Sequence, residues 1–138
     1  MLKLNFTVPA KDFSQAGEAS SKVKRALKQL GLPPEIIRRV AIAMYEAEIN
    51  MIIHANGGET FCHVSPQAVT ITLKDNGPGI PDVKKAMEEG YSTASPEARN
   101  LGFGAGMGLP NIEKYTDTLD IETEIGKGTT LTFSVSVE

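Results

Sequence analysis

The chain has 138 residues, 41% of them hydrophobic, with a formal net charge of -3, which suits one globular domain with a core and leaves too little for two. That charge balance gives no reason to expect nucleic acid as the direct partner, and the single cysteine, Cys62, rules out an internal disulfide. No window approaches the ~18 apolar residues of a membrane span, and the opening Met1-Leu2-Lys3-Leu4-Asn5-Phe6 alternates, unlike a signal peptide, so the cytoplasm is the expected location.

Leu2, Leu4, Phe6 and Val8 alternate with polar residues, the period of a strand with one buried face. From Phe13 to Leu30 apolar residues fall at helical spacing, and Gly31 is placed to end that helix as a left-handed cap. Pro33 and Pro34 suit a helix entry, and Glu35 through His54 reads as a second, largely buried helix. Two short strands follow, near Thr60–Val64 and Ala68–Lys74, turned by Ser65-Pro66-Gln67. Pro81 can open a short helix through Met87. Residues 89–108, rich in Gly, Ser, Ala and Asn, have no sustained period and read as a lid or binding loop. A helix over Pro110–Tyr115 and two strands, Leu119–Glu124 and Thr129–Val137, close the chain, the last pair joined by Gly126-Lys127-Gly128. This order predicts an α/β two-layer sandwich, a mixed and mostly antiparallel sheet with helices on one face.

Four features carry chemistry. Glu46, Asn50 and His54 recur every fourth residue and so share one stripe of the second helix, among mostly apolar neighbours. A carboxylate and an amide there need partners, which a metal ion and a polyphosphate would supply; a polar helix edge meeting solvent is the plainer alternative, and His54 reads as structural. Asp75 ends the inward row Val69, Ile71, Leu73 and precedes Asn76-Gly77-Pro78-Gly79. It is suited to accept a hydrogen bond from adenine's amine, or simply to start a turn. Gly102-Phe103-Gly104-Ala105-Gly106-Met107-Gly108 runs into a helix and offers backbone N–H groups to phosphate, although it matches neither a Walker loop nor a dinucleotide fingerprint. Thr129 shares the inward parity of Leu131, Phe133 and Val135, so its hydroxyl is placed to reach the acid or the base edge. Lys22, Lys24, Arg25, Lys28, Arg38 and Arg39 also cluster on the first two helices, as a solvated face or a docking face for an acidic partner.

Each signal is weak alone, but their order is specific. Glu46…Asn50, then Asp75-Asn76-Gly77-Pro78-Gly79, then Gly104-Ala105-Gly106-Met107-Gly108, then Gly128-Thr129-Thr130 resembles the asparagine box, the two glycine boxes and the closing threonine of the GHKL superfamily on the Bergerat ATP-binding fold. Within it the chain is most similar to the anti-sigma-factor serine/threonine kinases of bacterial partner-switching systems, whose lid Tyr91–Arg99 also resembles. The resemblance implies ATP and Mg²⁺ as cofactors, Glu46 as general base, Asn50 as Mg²⁺ ligand and Asp75 as adenine reader. It further implies that Gly77, Gly79 and Ile80 line the base and that Thr129 belongs to the same site. Gly104, Ala105, Gly106, Met107, Gly108 and Leu109 would wrap the phosphates, with Arg99 as a γ-phosphate contact. The family's substrate is a serine or threonine on a STAS-domain antagonist, and many members bind a sigma factor, usually as homodimers. Leu101–Ala105 makes the glycine-rich segment longer than in those members, and similar to related kinases that act on scaffold proteins. Two other readings stand beside the kinase: a nucleotide-gated module that sequesters a regulator with little catalysis, and a histidine-kinase catalytic domain acting in trans.

Overall fold

A computed structural model describes residues 2–8, 17–54, 58–77 and 108–137 of the chain. In order these form β1 (Leu2–Val8), α1 (Glu18–Gln29), α2 (Pro34–His54), β2 (Gly58–Val64), β3 (Ala68–Asp75), α3 (Gly108–Tyr115), β4 (Thr118–Glu124) and β5 (Gly128–Ser136). The sheet order is β1-β2-β3-β5-β4, and every pairing among these strands is antiparallel. The expected sandwich is therefore present, at the fully antiparallel end of that expectation.

Alternation decides which face is covered. Cys62 and Val64 of β2, Val69, Ile71 and Leu73 of β3, and Leu131, Phe133 and Val135 of β5 are buried. They form one core with Val23 and Leu27 of α1, Val40, Ala43, Met44, Ala47 and Ile52 of α2, and Ile112 of α3. The intervening residues put Thr70, Thr72, Thr132 and Ser134 on the opposite face, where Thr132 donates a hydrogen bond to Thr72 at 3.5 Å. A sheet with one polar face needs helices on only one side.

Three local devices set the helices. Gly17, at φ 88°, turns the chain into α1, so the helix begins at Glu18; the expected earlier start, from Phe13, lies outside the described residues. At the other end Gly31, at φ 77°, lets the chain leave α1 while Leu32 N–H reaches the Leu27 carbonyl at 3.3 Å. The end of α3 is held by Arg39 of α2, whose Nε donates to the Tyr115 carbonyl at 3.0 Å and whose guanidinium pairs with Asp117 at 3.2 Å. Asp117 in turn accepts the Ser136 N–H at 2.6 Å, joining α2, α3 and β5 at one point. Arg39 thus leaves the basic cluster anticipated on the first two helices: it is a structural tie. Among the described residues no helix is long and apolar enough to cross a membrane. The anticipated helix from Pro81 to Met87 and the lid up to residue 107 lie outside the described residues.

Candidate functional site

Asp75 sits at the C-terminal end of β3, the middle strand of the sheet, between two glycines that begin the neighbouring strands. Gly58 of β2 is its register partner, and Gly128 of β5 lies on the other side. A methyl group on Gly58 would strike the Lys74 carbonyl, and one on Gly128 would strike the Asp75 carbonyl. Gly128 also holds φ 120°, a conformation open to glycine and rarely to others. Both strands therefore close on the acid's backbone only because they carry no side chain there.

The Asp75 carboxylate is held from two directions through one oxygen. Its Oδ1 accepts the Gly77 N–H at 2.9 Å, the expected Asp-initiated turn, and the Thr129 N–H at 3.2 Å from 54 residues away. Among the described residues Oδ2 of this half-buried side chain accepts no hydrogen bond. Thr129 contributes its backbone amide, not its hydroxyl. That hydroxyl lies 2.9 Å from the Thr123 hydroxyl across the β4–β5 pair. The parity places Thr129 beside the end of β3, but its amide and not its hydroxyl meets the acid, because the hydroxyl pairs with the cross-strand Thr123.

On α2, Glu46 and Asn50 are both half-buried, one turn apart. Burial pushes the Glu46 carboxyl up from its ordinary range, and a hydrogen bond from the Asn111 side chain on α3 partly offsets that. Asn111 was not among the residues picked out from the sequence; it follows the glycine-rich segment by only three residues. The end of α2 meets the end of β3 across Gly58. The Met51 sulfur and the Asp75 Cα lie 3.0 and 3.1 Å from the point a Gly58 side chain would occupy, so the turn after Asn50 abuts the strand end that carries the acid. Glu46, Asn50, Asp75, Gly77 and Thr129 thus belong to elements that converge at one end of the sandwich. Gly108 opens α3, whereas the Leu109 side chain is buried in the core. Gly79, Ile80, Arg99, Gly104, Ala105, Gly106, Met107 and the side chain of His54 lie outside the described residues.

A second acid on α2 has a different use. Glu48 is 1% exposed and accepts the Ala19 N–H at 3.2 Å and the Ser20 N–H at 3.1 Å, the free donors of the first turn of α1. Gly17 has no side chain to cap that helix, so a carboxylate from α2 does it. Burial raises the Glu48 pKa, and those backbone donors lower it. The sequence clue was Glu48 itself, an acid on the apolar side of a buried helix, facing a helix start without a capping residue.

These features fit an adenine nucleotide: a carboxylate fixed through one oxygen, two glycines that let the neighbouring strands close on its backbone, an acid and an amide on one helical stripe, and the N-terminus of α3 after a glycine-rich run. Residues 9–135 match the family of histidine kinase-like ATPase domains. The chain is 30% identical over 110 residues to the serine/threonine-protein kinase RsbT of Bacillus subtilis, covering 77% of each chain. It is 32% identical over 134 residues to an anti-sigma F factor of a Thermoanaerobacter species, covering 94% of this chain and 88% of that one. Its fold is similar to the crystal structure of the RsbU and RsbW domains of a Mycobacterium tuberculosis protein, with a TM-score of 0.67 and 16% identity, over 98% of this chain and 32% of the other. The chain belongs to the histidine kinase-like, GHKL-type ATPase family, on the branch of ATP-using protein kinases that includes serine/threonine kinases and anti-sigma factors.

Proposed function

We propose that this protein is a serine/threonine kinase of the partner-switching type, transferring a phosphoryl group from Mg-ATP to a hydroxyl on a STAS-domain antagonist or scaffold protein. The observation that carries this is the convergence of α2 and β3: Glu46 and Asn50 on one stripe, with the next residue, Met51, packed beside the backbone of Asp75 across Gly58. Mg-ATP supplies the phosphoryl group and the cation that neutralises its charge. Asp75, its carboxylate already fixed by the Gly77 and Thr129 N–H groups, would accept a hydrogen bond from the adenine amine. Asn50 would offer a neutral oxygen to Mg²⁺. Mg²⁺ keeps several waters and takes few protein ligands, so phosphate and water would supply the rest of its shell. Glu46 takes the proton of the acceptor hydroxyl, and its raised pKa makes it a stronger base than a solvated carboxylate. Asn111 fixes the orientation of that carboxylate from α3. Gly79, Ile80 and Arg99, with the run Gly104 to Leu109, complete the enclosure of base and phosphates in this reading.

The likeness to anti-sigma F factors supports a second role beside catalysis, capture of a sigma factor or another regulator according to the bound nucleotide. We place the protein in the cytoplasm, as a homodimer. The direct test is phosphoryl transfer to a purified STAS-domain protein by the wild type and by Glu46→Ala. The kinase reading requires acid-stable phosphoserine or phosphothreonine from the wild type and none from the variant, with nucleotide affinity preserved. Partner capture that persists in Glu46→Ala, with no transfer by either protein, would favour the binding module. Acid-labile phosphate on the partner would favour a histidine kinase.

A further inference from the structure

The helical layer has a concave feature lined by none of the residues assigned to the nucleotide site. Between α1 and the N-terminal half of α2 runs a groove of about 410 Å³, with Lys24, Lys28 and Arg38 on its walls and Leu32, Ile37 and Ile42 among its apolar lining. Lys24 and Lys28 are four residues apart, so their ammonium groups share one stripe of α1. Neither forms an ion pair among the described residues. Lys22, by contrast, pairs with Glu18 at 3.1 Å, and Arg38 pairs with Glu35 at 2.8 Å. Leu30, at the end of α1 between Lys28 and Leu32 in the chain, is 51% exposed.

A face that is merely solvated has no need of an apolar trough between its cations. This one has both, on a chain whose net charge is negative. The groove also has a direction. Ile42 precedes Glu46 by one turn of α2, so the trough runs toward the nucleotide site without containing any residue assigned to it.

We infer that this groove docks an acidic amphipathic helix of a partner protein, its apolar side chains over Leu32 and Ile42 and its carboxylates on Lys24 and Lys28. Burial of the apolar stripe supplies affinity, and the two ammonium groups set orientation and association rate. The Arg38–Glu35 pair is exposed on both sides and so costs little to exchange for a partner's carboxylate. A nucleic acid would want aromatic platforms, and the residues lining this groove include none. A membrane engages a convex apolar face, and this surface is concave.

The test titrates the isotope-labelled full chain with a synthetic helical peptide of leucine and glutamate, read by amide chemical shifts. Saturable shifts are expected along Lys24–Leu32 and Ile37–Ile42, and weaker binding in high salt. Lys24→Glu/Lys28→Glu should reduce affinity at least about tenfold while leaving the remaining spectrum intact, because both positions are exposed. A lysine-for-glutamate version of the peptide should not bind. The inference fails if the acidic peptide does not bind, if it binds the double variant equally well, or if its shifts map elsewhere. It also fails if an RNA oligonucleotide or phosphatidylglycerol vesicles bind through these lysines in preference to the peptide. None of these readouts depends on phosphoryl transfer, so the roles given to Glu46 and Asn50 stand or fall separately.

Discussion

Glu46 and Glu48 lie two residues apart on α2, on different faces, and burial raises the pKa of both. Glu48 spends its oxygens on the backbone of α1, where two N–H groups approach within 3.2 Å. Glu46 is half-buried and, among the described residues, meets the neutral side chain of Asn111. An acid whose partners are helix-start amides is part of the architecture, because those amides need it as much as it needs them. An acid with a raised pKa whose partner is a neutral amide keeps the capacity to take a proton. The neighbourhood of each carboxylate, and not its spacing in the chain, separates the two roles.

The comparison breaks most readily at Glu46 itself. Glu46→Gln keeps the size and a hydrogen bond to Asn111 but removes the base, so transfer to the STAS partner should fall by about 100-fold or more, with the nucleotide Kd changed only a few-fold. Single-turnover assays and calorimetry check the two halves; transfer at the wild-type rate would remove Glu46 from the reaction. Glu48→Ala should show the reverse pattern. It strands two buried N–H groups and leaves a cavity, which should cost about 2–4 kcal/mol in urea unfolding, with nucleotide affinity retained by the folded fraction. Stability within experimental error of wild type would refute the capping role.

Gly128→Ala tests the other side of the site. The added methyl meets the Asp75 carbonyl and the residue must hold φ 120°, so about 1–3 kcal/mol of stability should be lost together with nucleotide affinity, because the strand end that fixes Asp75 is displaced. Asp75→Asn is milder in fold and sharper in binding: the amide still offers Oδ1 to Gly77 and Thr129 but presents NH₂ to adenine, so nucleotide affinity should drop while the melting temperature stays close to wild type.

The smallest expected effects are in pH. A base acts only when ionised, so transfer should decline on the acid side at a higher pH than an ordinary carboxylate would give. Asn111→Ala removes the group that holds the Glu46 pKa down and should move that limb higher still. For Glu48 the linkage concerns stability. Its folded pKa is raised, so the native state binds more protons than the unfolded chain in the window between the two values. Stability from this group is greatest below the unfolded pKa and is lost as pH rises through the folded one. Glu48→Gln should flatten that slope in pH-dependent unfolding curves.

Much of the molecule was legible without coordinates. Period-2 alternation located β1, β3 and β5, helical periodicity located α1 and α2, and Gly31 ended α1 where a left-handed residue was needed. These are local properties, set by which side chains recur every second, third or fourth residue. The position of Glu46 and Asn50 on one stripe of α2, and of Asp75 at the end of an inward row of β3, was legible for the same reason, since each is counted along a single element. Other assignments depended on partners distant in the chain. Glu48 meets α1 28 and 29 residues away, Arg39 meets Asp117 78 residues away, and Thr129 reaches Asp75 across 54. Periodicity says which way a side chain faces, not what awaits it there. Only the packing of α2 against α1 and α3 decided that one acid caps a helix and that one arginine ties three elements, and only the pairing of β3 with β5 decided that the Thr129 amide holds the aspartate.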